Sequence, residues 1–211
     1  MQKYIVISVI LLSVFVFNSC QNKTSENIKI DTSKEIKSPN EESVASEEKE
    51  SSDPGFAIQS VDDELAHKIK NYLTSKFLKE ADLRSIPKEE RKFQLYKIDL
   101  NSDGKNEVFV NFLTSYFCGS GGCTILLLSN DLEPITKFTV TRTPLFAEQT
   151  IKNGWRILLT RSEGELKELT YNNGAYPSNP SMLEKAPYDA PSGHSEIMFD
   201  ENFSKPKTYE F

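Results

Sequence analysis

The chain has 211 residues, and 25 basic against 31 acidic side chains give a formal net charge of −6, which removes the electrostatic footprint of a nucleic-acid binder. Hydrophobic residues make up 37%, below the usual globular share, and the shortfall lies in residues 21 to 60, which leaves about 150 residues for one domain with a real core. Only His67 and His194 occur in the whole chain, which argues against a histidine-rich metal centre or a multi-histidine catalytic site.

Lys3 and the apolar run from Tyr4 to Phe17 supply the charged and apolar regions of a secretory signal. As a helix that run covers about 21 Å of a hydrocarbon core roughly 30 Å thick, too little to span it comfortably. Phe17, Asn18, Ser19 and Cys20 then resemble a bacterial lipobox, with a small residue directly before a cysteine. The resemblance implies a signal peptide over residues 1–19, cleavage before Cys20, and acyl chains, palmitate among them, on that cysteine. The membrane is then the first partner, reached through a lipid anchor that several acyl chains make stable. An uncleaved apolar anchor with an incidental Cys20 is the alternative, disfavoured by its length.

Loss of Lys3 with the signal makes the mature balance 24 − 31 = −7, so lipid and not basic residues must hold the protein to the bilayer. Gln21 after the lipid cysteine is no acidic retention signal of the enterobacterial kind, which favours an outer-membrane address within the bacterial cell envelope. Residues 20–60 combine the lipidated cysteine with a Ser-, Glu- and Lys-rich stretch that lacks apolar periodicity and cannot offset chain entropy by burial. It reads as a disordered tether with an r.m.s. reach of about 35 Å or more.

Ser60 and Asp62 are N-cap residues, and Leu65, Ile69, Tyr72, Leu73, Lys76 and Phe77 recur in steps of three and four, so an amphipathic helix is predicted from Asp62 to about Lys79. His67 falls beside the apolar stripe and reads as a surface residue. After Pro87 the period changes. Short runs rich in β-branched and aromatic residues, Phe93 to Leu100, Glu107 to Thr114, Cys123 to Ser129, Pro134 to Arg142, Gly154 to Thr160 and Glu165 to Tyr171, are bounded by turn residues. The predicted fold is α+β over residues 61–181, with the helix packed on an antiparallel meander of about six strands. From Pro177 onward five prolines, at 177, 180, 187, 191 and 206, disfavour regular structure, so residues 182–211 are expected to form an irregular extension. No repeat is visible, and the length is too small for a multi-bladed propeller.

The strongest chemical signal is Asp99-Leu100-Asn101-Ser102-Asp103-Gly104-Lys105-Asn106-Glu107, between two predicted strands. Asp99, Asn101, Asp103 and Glu107 would offer side-chain oxygens and Lys105 its carbonyl to calcium, a hard cation that relieves repulsion among three carboxylates. Position 12 is Val110 and not glutamate, so this is no EF-hand. The spacing resembles the calcium loops of FG-GAP and VCBS-type extracellular domains, D-x-[DN]-x-D-G-x-x-[DE] followed by alternating apolar residues, here Val108 and Val110. That resemblance implies a calcium-type hairpin over about a dozen residues. The competing reading is an Asx-rich β-turn in which these side chains bind only backbone amides.

With Cys20 taken by lipid, Cys118 and Cys123 form an even pair that reads as a disulfide in an exported chain, and Gly119-Ser120-Gly121-Gly122 between them closes easily. Zinc would need two further ligands, and a thioredoxin-like site would need C-x-x-C. Ser120 lacks the glycine two residues earlier that a nucleophile elbow requires, and no Gly-Lys-Ser/Thr follows to make a P-loop. Together with the aspartate loop, Asn153-Gly154-Trp155 and Tyr176-Pro177-Ser178-Asn179-Pro180, the Cys118 to Cys123 segment resembles a group of uncharacterised bacterial exported proteins and lipoproteins over roughly residues 93 to 181. The expected function is that of a membrane-tethered, non-catalytic binding domain with an envelope protein or glycan as partner. The alternatives are a cell-envelope glycan hydrolase using Asp99, Asp103 and Glu107, or an inhibitor that inserts the cysteine-closed loop into a cell-wall lytic enzyme.

Overall fold

A computed structural model of the protein describes residues 56–211. The expected signal peptide, Cys20 and nearly all of the tether lie outside the described residues. The described residues begin a few positions before the predicted boundary: Ile58–Ser60 forms a 3-10 turn, and fully buried Ser60 donates its hydroxyl to the Ser204 carbonyl at 3.1 Å. Helix α1, Asp63–Tyr72, runs directly into a π-helical turn, Leu73–Phe77. Its N-cap is Asp62, whose carboxylate accepts the Leu65 N–H at 2.9 Å and thereby satisfies one donor that the first turn leaves free. A second helix, α2, spans Glu80–Ser85.

The protein is α+β and its strands are antiparallel, as the alternating runs predict, but there are ten described strands in two sheets and not six in one meander. In the first sheet lie β1 (Lys92–Ile98), β2 (Glu107–Phe112), β3 (Cys118–Gly119), β4 (Gly122–Leu128), β5 (Pro134–Thr141) and β10 (Thr208–Glu210), ordered β10-β1-β2-β4-β3 with β5 also on β4. The second sheet is β8-β7-β6-β9, from β6 (Leu145–Lys152), β7 (Trp155–Ser162), β8 (Glu165–Leu169) and β9 (Glu196–Met198).

The parity of the strands explains why the first sheet is so apolar. Along β1, Phe93 and Leu95 pack with Ala66, Ile69 and Leu73 of the helical segment, whereas Tyr96 and Ile98 join a separate cluster with Leu158, Leu169 and Met198 of the second sheet. β2 and β4 divide in the same way: Val108, Val110, Leu126 and Leu128 face the helix, and Phe109, Ile125 and Leu127 face the second sheet. The layers are therefore helix, sheet, sheet, and a sheet covered on both faces needs apolar residues at successive positions. The outer face of the second sheet carries a smaller cluster of Ile157, Leu159, Leu166 and Ala186.

Residues 182–211 are irregular over most of their length, yet β9 and β10 arise within them. Met198 and Phe211 contribute to the two main clusters, and Phe199 is buried, whereas Phe203 stands exposed. Arg156 ties the second sheet together. It donates from Nε to the Glu148 carbonyl, from Nη2 to the Ala147 carbonyl, and from Nη1 to Glu196 at 3.1 Å, while the Tyr96 hydroxyl reaches the other Glu196 oxygen at 3.0 Å. These bonds satisfy a nearly buried guanidinium and link β1 to β9 across the core.

Candidate functional site

The aspartate loop joins β1 to β2 and is anchored from below by Leu100, which is fully buried. Its oxygens converge on the loop's own amides. Asp99 accepts the Ser102 N–H at 2.7 Å and the Gly104 N–H at 3.0 Å, Asn101 accepts from Asp103, Asp103 accepts from Lys105, and Glu107 accepts the Leu100 N–H at 2.8 Å. Ser102 and Gly104 have φ of 61° and 82°, and the sharp turn at position six thus falls to the glycine, the residue that occupies this region at least cost. The Asn101 side-chain amide points its nitrogen between Asp103 and Glu107, at 3.3 and 3.4 Å, and so places a weak positive pole between two carboxylates.

Glu107 is 4% exposed; burial pushes its carboxyl above the ordinary carboxylate range, and Asp103 and Asp99 add to this while the Leu100 amide opposes it. Four of the five predicted ligand residues thus lie together, and Lys105 contributes its N–H to Asp103. The donors are the hard oxygens that calcium takes, but no three acidic, histidine or cysteine side chains among the described residues stand together as a metal-holding group. Each of the four side chains is engaged with a backbone amide of the loop, as in an Asx-rich turn.

Trp155 is a packing residue: it stacks on Tyr171 at 4.2 Å and meets Tyr176 edge-on at 6.1 Å. His67 is exposed on the helix flank, and its ring nitrogen lies 3.3 Å from the Asn71 side-chain amide, four residues on.

The cysteine loop lies at the opposite end of β2. Cys118 and Cys123 are joined by the expected disulfide, because the two residues are direct cross-strand partners in the β3–β4 hairpin and the next pair is Gly119 with Gly122. Gly122 has φ of 142°, and a Cβ there would stand 2.7 Å from the Thr141 backbone; at Gly121 a Cβ would meet the Val140 side chain at 2.6 Å. The glycines therefore let the hairpin lie directly on β5, which accounts for them without nucleophile or phosphate chemistry.

β5 bulges at this contact. Cys123 pairs with Thr141 but Ile125 with Phe138, so β5 holds an extra residue, and the Thr139 N–H turns away to the Ser178 carbonyl at 2.7 Å. Within the bulge Val140 takes φ of 54°, a costly conformation for a β-branched side chain.

Two depressions flank the hairpin. One, about 380 Å³, is lined by Leu113, the two cysteines and Thr143, and the other, about 520 Å³, by Ser120, Val140, Arg142, Arg161 and Ser162; Arg142 borders both. Neither Arg142 nor Arg161 belongs to a spaced motif, and the cysteine hairpin, β5 and the β7–β8 turn bring this second depression together, so sequence reasoning had no local signal for it. Among the described residues no helix is long and apolar enough to cross a membrane. Comparison of the chain with family models, with curated proteins and with solved structures finds no match.

Proposed function

We propose that this protein is a bacterial envelope lipoprotein, lipidated at Cys20, whose tethered α+β domain is a non-catalytic binding module stiffened by calcium in the aspartate loop and by the Cys118–Cys123 disulfide. The observation that carries the exported, disulfide-stiffened part of this reading is the Cys118–Cys123 bond, while the lipid anchor rests on the lipobox-like run from Phe17 to Cys20. Disulfides persist in oxidising, exported compartments, and of the three cysteines in the chain this one leaves only Cys20, three residues beyond the end of the apolar run. A tether between Cys20 and Ile58 would hold the module off the bilayer, where an envelope protein or glycan can reach it. The FG-GAP- and VCBS-like spacing, with three carboxylates crowded on one turn, supports calcium in the loop between β1 and β2.

Metabolic labelling with radioactive palmitate is expected to mark the wild type and not Cys20→Ala, and equal labelling of both would remove the lipoprotein reading. Incubation with peptidoglycan is expected to release no soluble fragments. Release that Glu107→Gln abolishes would replace the binding module with a hydrolase.

A further inference from the structure

The geometry points to an oxyanion-binding site in the 520 Å³ depression beside the disulfide hairpin, built to take a phosphate or carboxylate group of a ligand on Arg142 and Ser162. This deepens the binding-module reading by naming the chemistry of what is bound.

Ser162 supplies the first observation. The residue is 3% exposed and lines the depression, yet its hydroxyl has no hydrogen-bond partner among the described residues. Since no side-chain nitrogen or oxygen sealed from solvent is left unpaired, that hydroxyl must open into the depression. A ligand oxygen can take the place of water on that hydroxyl.

Arg142 supplies the second. Its guanidinium donates to the Ser120 carbonyl and has no carboxylate partner among the described residues, although the chain as a whole is acidic. The backbone beneath it is fixed, because fully buried Thr160 donates to the Arg142 carbonyl at 2.7 Å. Arg161 also lines the depression, but it precedes Ser162 on β7, so its side chain leaves the opposite face of the strand and donates to the Asp189 carbonyl at 3.2 Å. A guanidinium presents paired N–H groups that match phosphate and carboxylate oxygens, and charge-assisted bonds of this kind are the stronger ones. The volume lies within the range of small-ligand sites. Glu163 also lines the depression, and its carboxylate opposes an anion. The bulge that forces Val140 to positive φ belongs to the same wall, and bulges of this kind re-aim side chains next to sites.

The test uses the full-length protein in a neutral detergent, with amide chemical shifts followed during titration by sodium phosphate in one arm and sodium acetate in the other, and sodium chloride as control. Saturable shifts at Ser120, Arg142, Arg161, Ser162 and Gly164 are expected in the phosphate or the acetate arm, at millimolar concentration and beyond those that chloride causes. The arm that binds more tightly identifies the group. Arg142→Ala is expected to weaken binding by about tenfold or more, and Arg142→Lys to recover only part of it, since the charge returns without the fork.

Ser162→Ala should weaken binding by roughly threefold, whereas Glu163→Gln should tighten it by a similar factor. An unchanged melting temperature for each variant shows that the fold is intact. Absence of saturable shifts in both arms, or binding that Arg142→Ala leaves unaltered, would overturn the site. Failure of the lipoprotein reading would show instead in the palmitate labelling of Cys20, which does not involve this depression.

Discussion

Calcium and a bare turn make opposite demands on Glu107, and this makes the aspartate loop open to a sharp measurement. Glu107 is nearly buried, accepts the Leu100 amide, and feels both Asp103 and Asp99. If the ion binds, it does so to the folded loop alone, because only the fold brings Asp99, Asn101, Asp103 and Glu107 together. At a hundredfold excess over Kd it then stabilises the fold by about 2.7 kcal/mol. For a domain of this size, roughly 2–4 °C of melting temperature correspond to each kcal/mol, so the expected rise is about 5–10 °C.

Glu107→Gln should erase most of that rise, because the amide cannot replace the carboxylate charge. In metal-free protein the same change should be neutral or stabilising, since it removes one of three mutually repelling carboxylates and keeps an oxygen for the Leu100 N–H. The assay is thermal unfolding of metal-stripped wild type and variant, with and without millimolar calcium, in the range where extracellular modules bind. A wild-type melting temperature indifferent to calcium, combined with a more stable Glu107→Gln, would refute the calcium loop and leave the Asx-rich turn.

Burial alone would raise the Asp62 carboxyl, but the Lys97 ammonium and the Leu65 N–H prevail and hold it below its ordinary value of 3.8. Its contribution is thus fully present above that value and is lost as the pH falls through the lower folded value, so Asp62→Ala should cost about 1–2 kcal/mol by urea unfolding at neutral pH and progressively less in acid. The partly buried ion pair contributes the smaller part of that figure. Gly122→Ala should destabilise by about 2 kcal/mol or more through contact with the Thr141 backbone, whereas Gly104→Ala, with open space around it, should cost only about 1 kcal/mol of backbone strain; equal effects in thermal unfolding would contradict the close hairpin contact. Phe211→Ala removes a ring packed against Phe93 and Phe112 and should cost on the order of 3 kcal/mol, with faster hydrogen exchange in β1 as the local signature.

Much of the first sheet was legible because burial on both faces leaves a dense apolar signal, and the turn residues mark its ends. β6 was missed for a physical reason: only its first half is buried, and the irregular register between Ala147 and Ile151 breaks the period-two pattern. β9 and β10 are three-residue edge strands among prolines, formed by pairing with β6 and β1 and carrying almost no local preference of their own. The disulfide was readable because its partners are neighbours in sequence. The Arg142–Ser162 depression was not, since proximity there depends on how the cysteine hairpin, β5 and the β7–β8 turn meet.

The pairing of β10 with β1 has a consequence for timing. Lys92 lies opposite Glu210, and Phe211 donates its N–H to the Arg91 carbonyl, so one edge of the first sheet is completed by residues roughly a hundred positions further along the chain. Contacts of such long sequence separation form late and slow the search for the native state. A ribosome-bound or partly threaded chain would keep the β1 edge bare until residue 211 emerges, and such an unfinished edge invites pairing with other chains. The first sheet is completed only when its last described strand, β10, arrives.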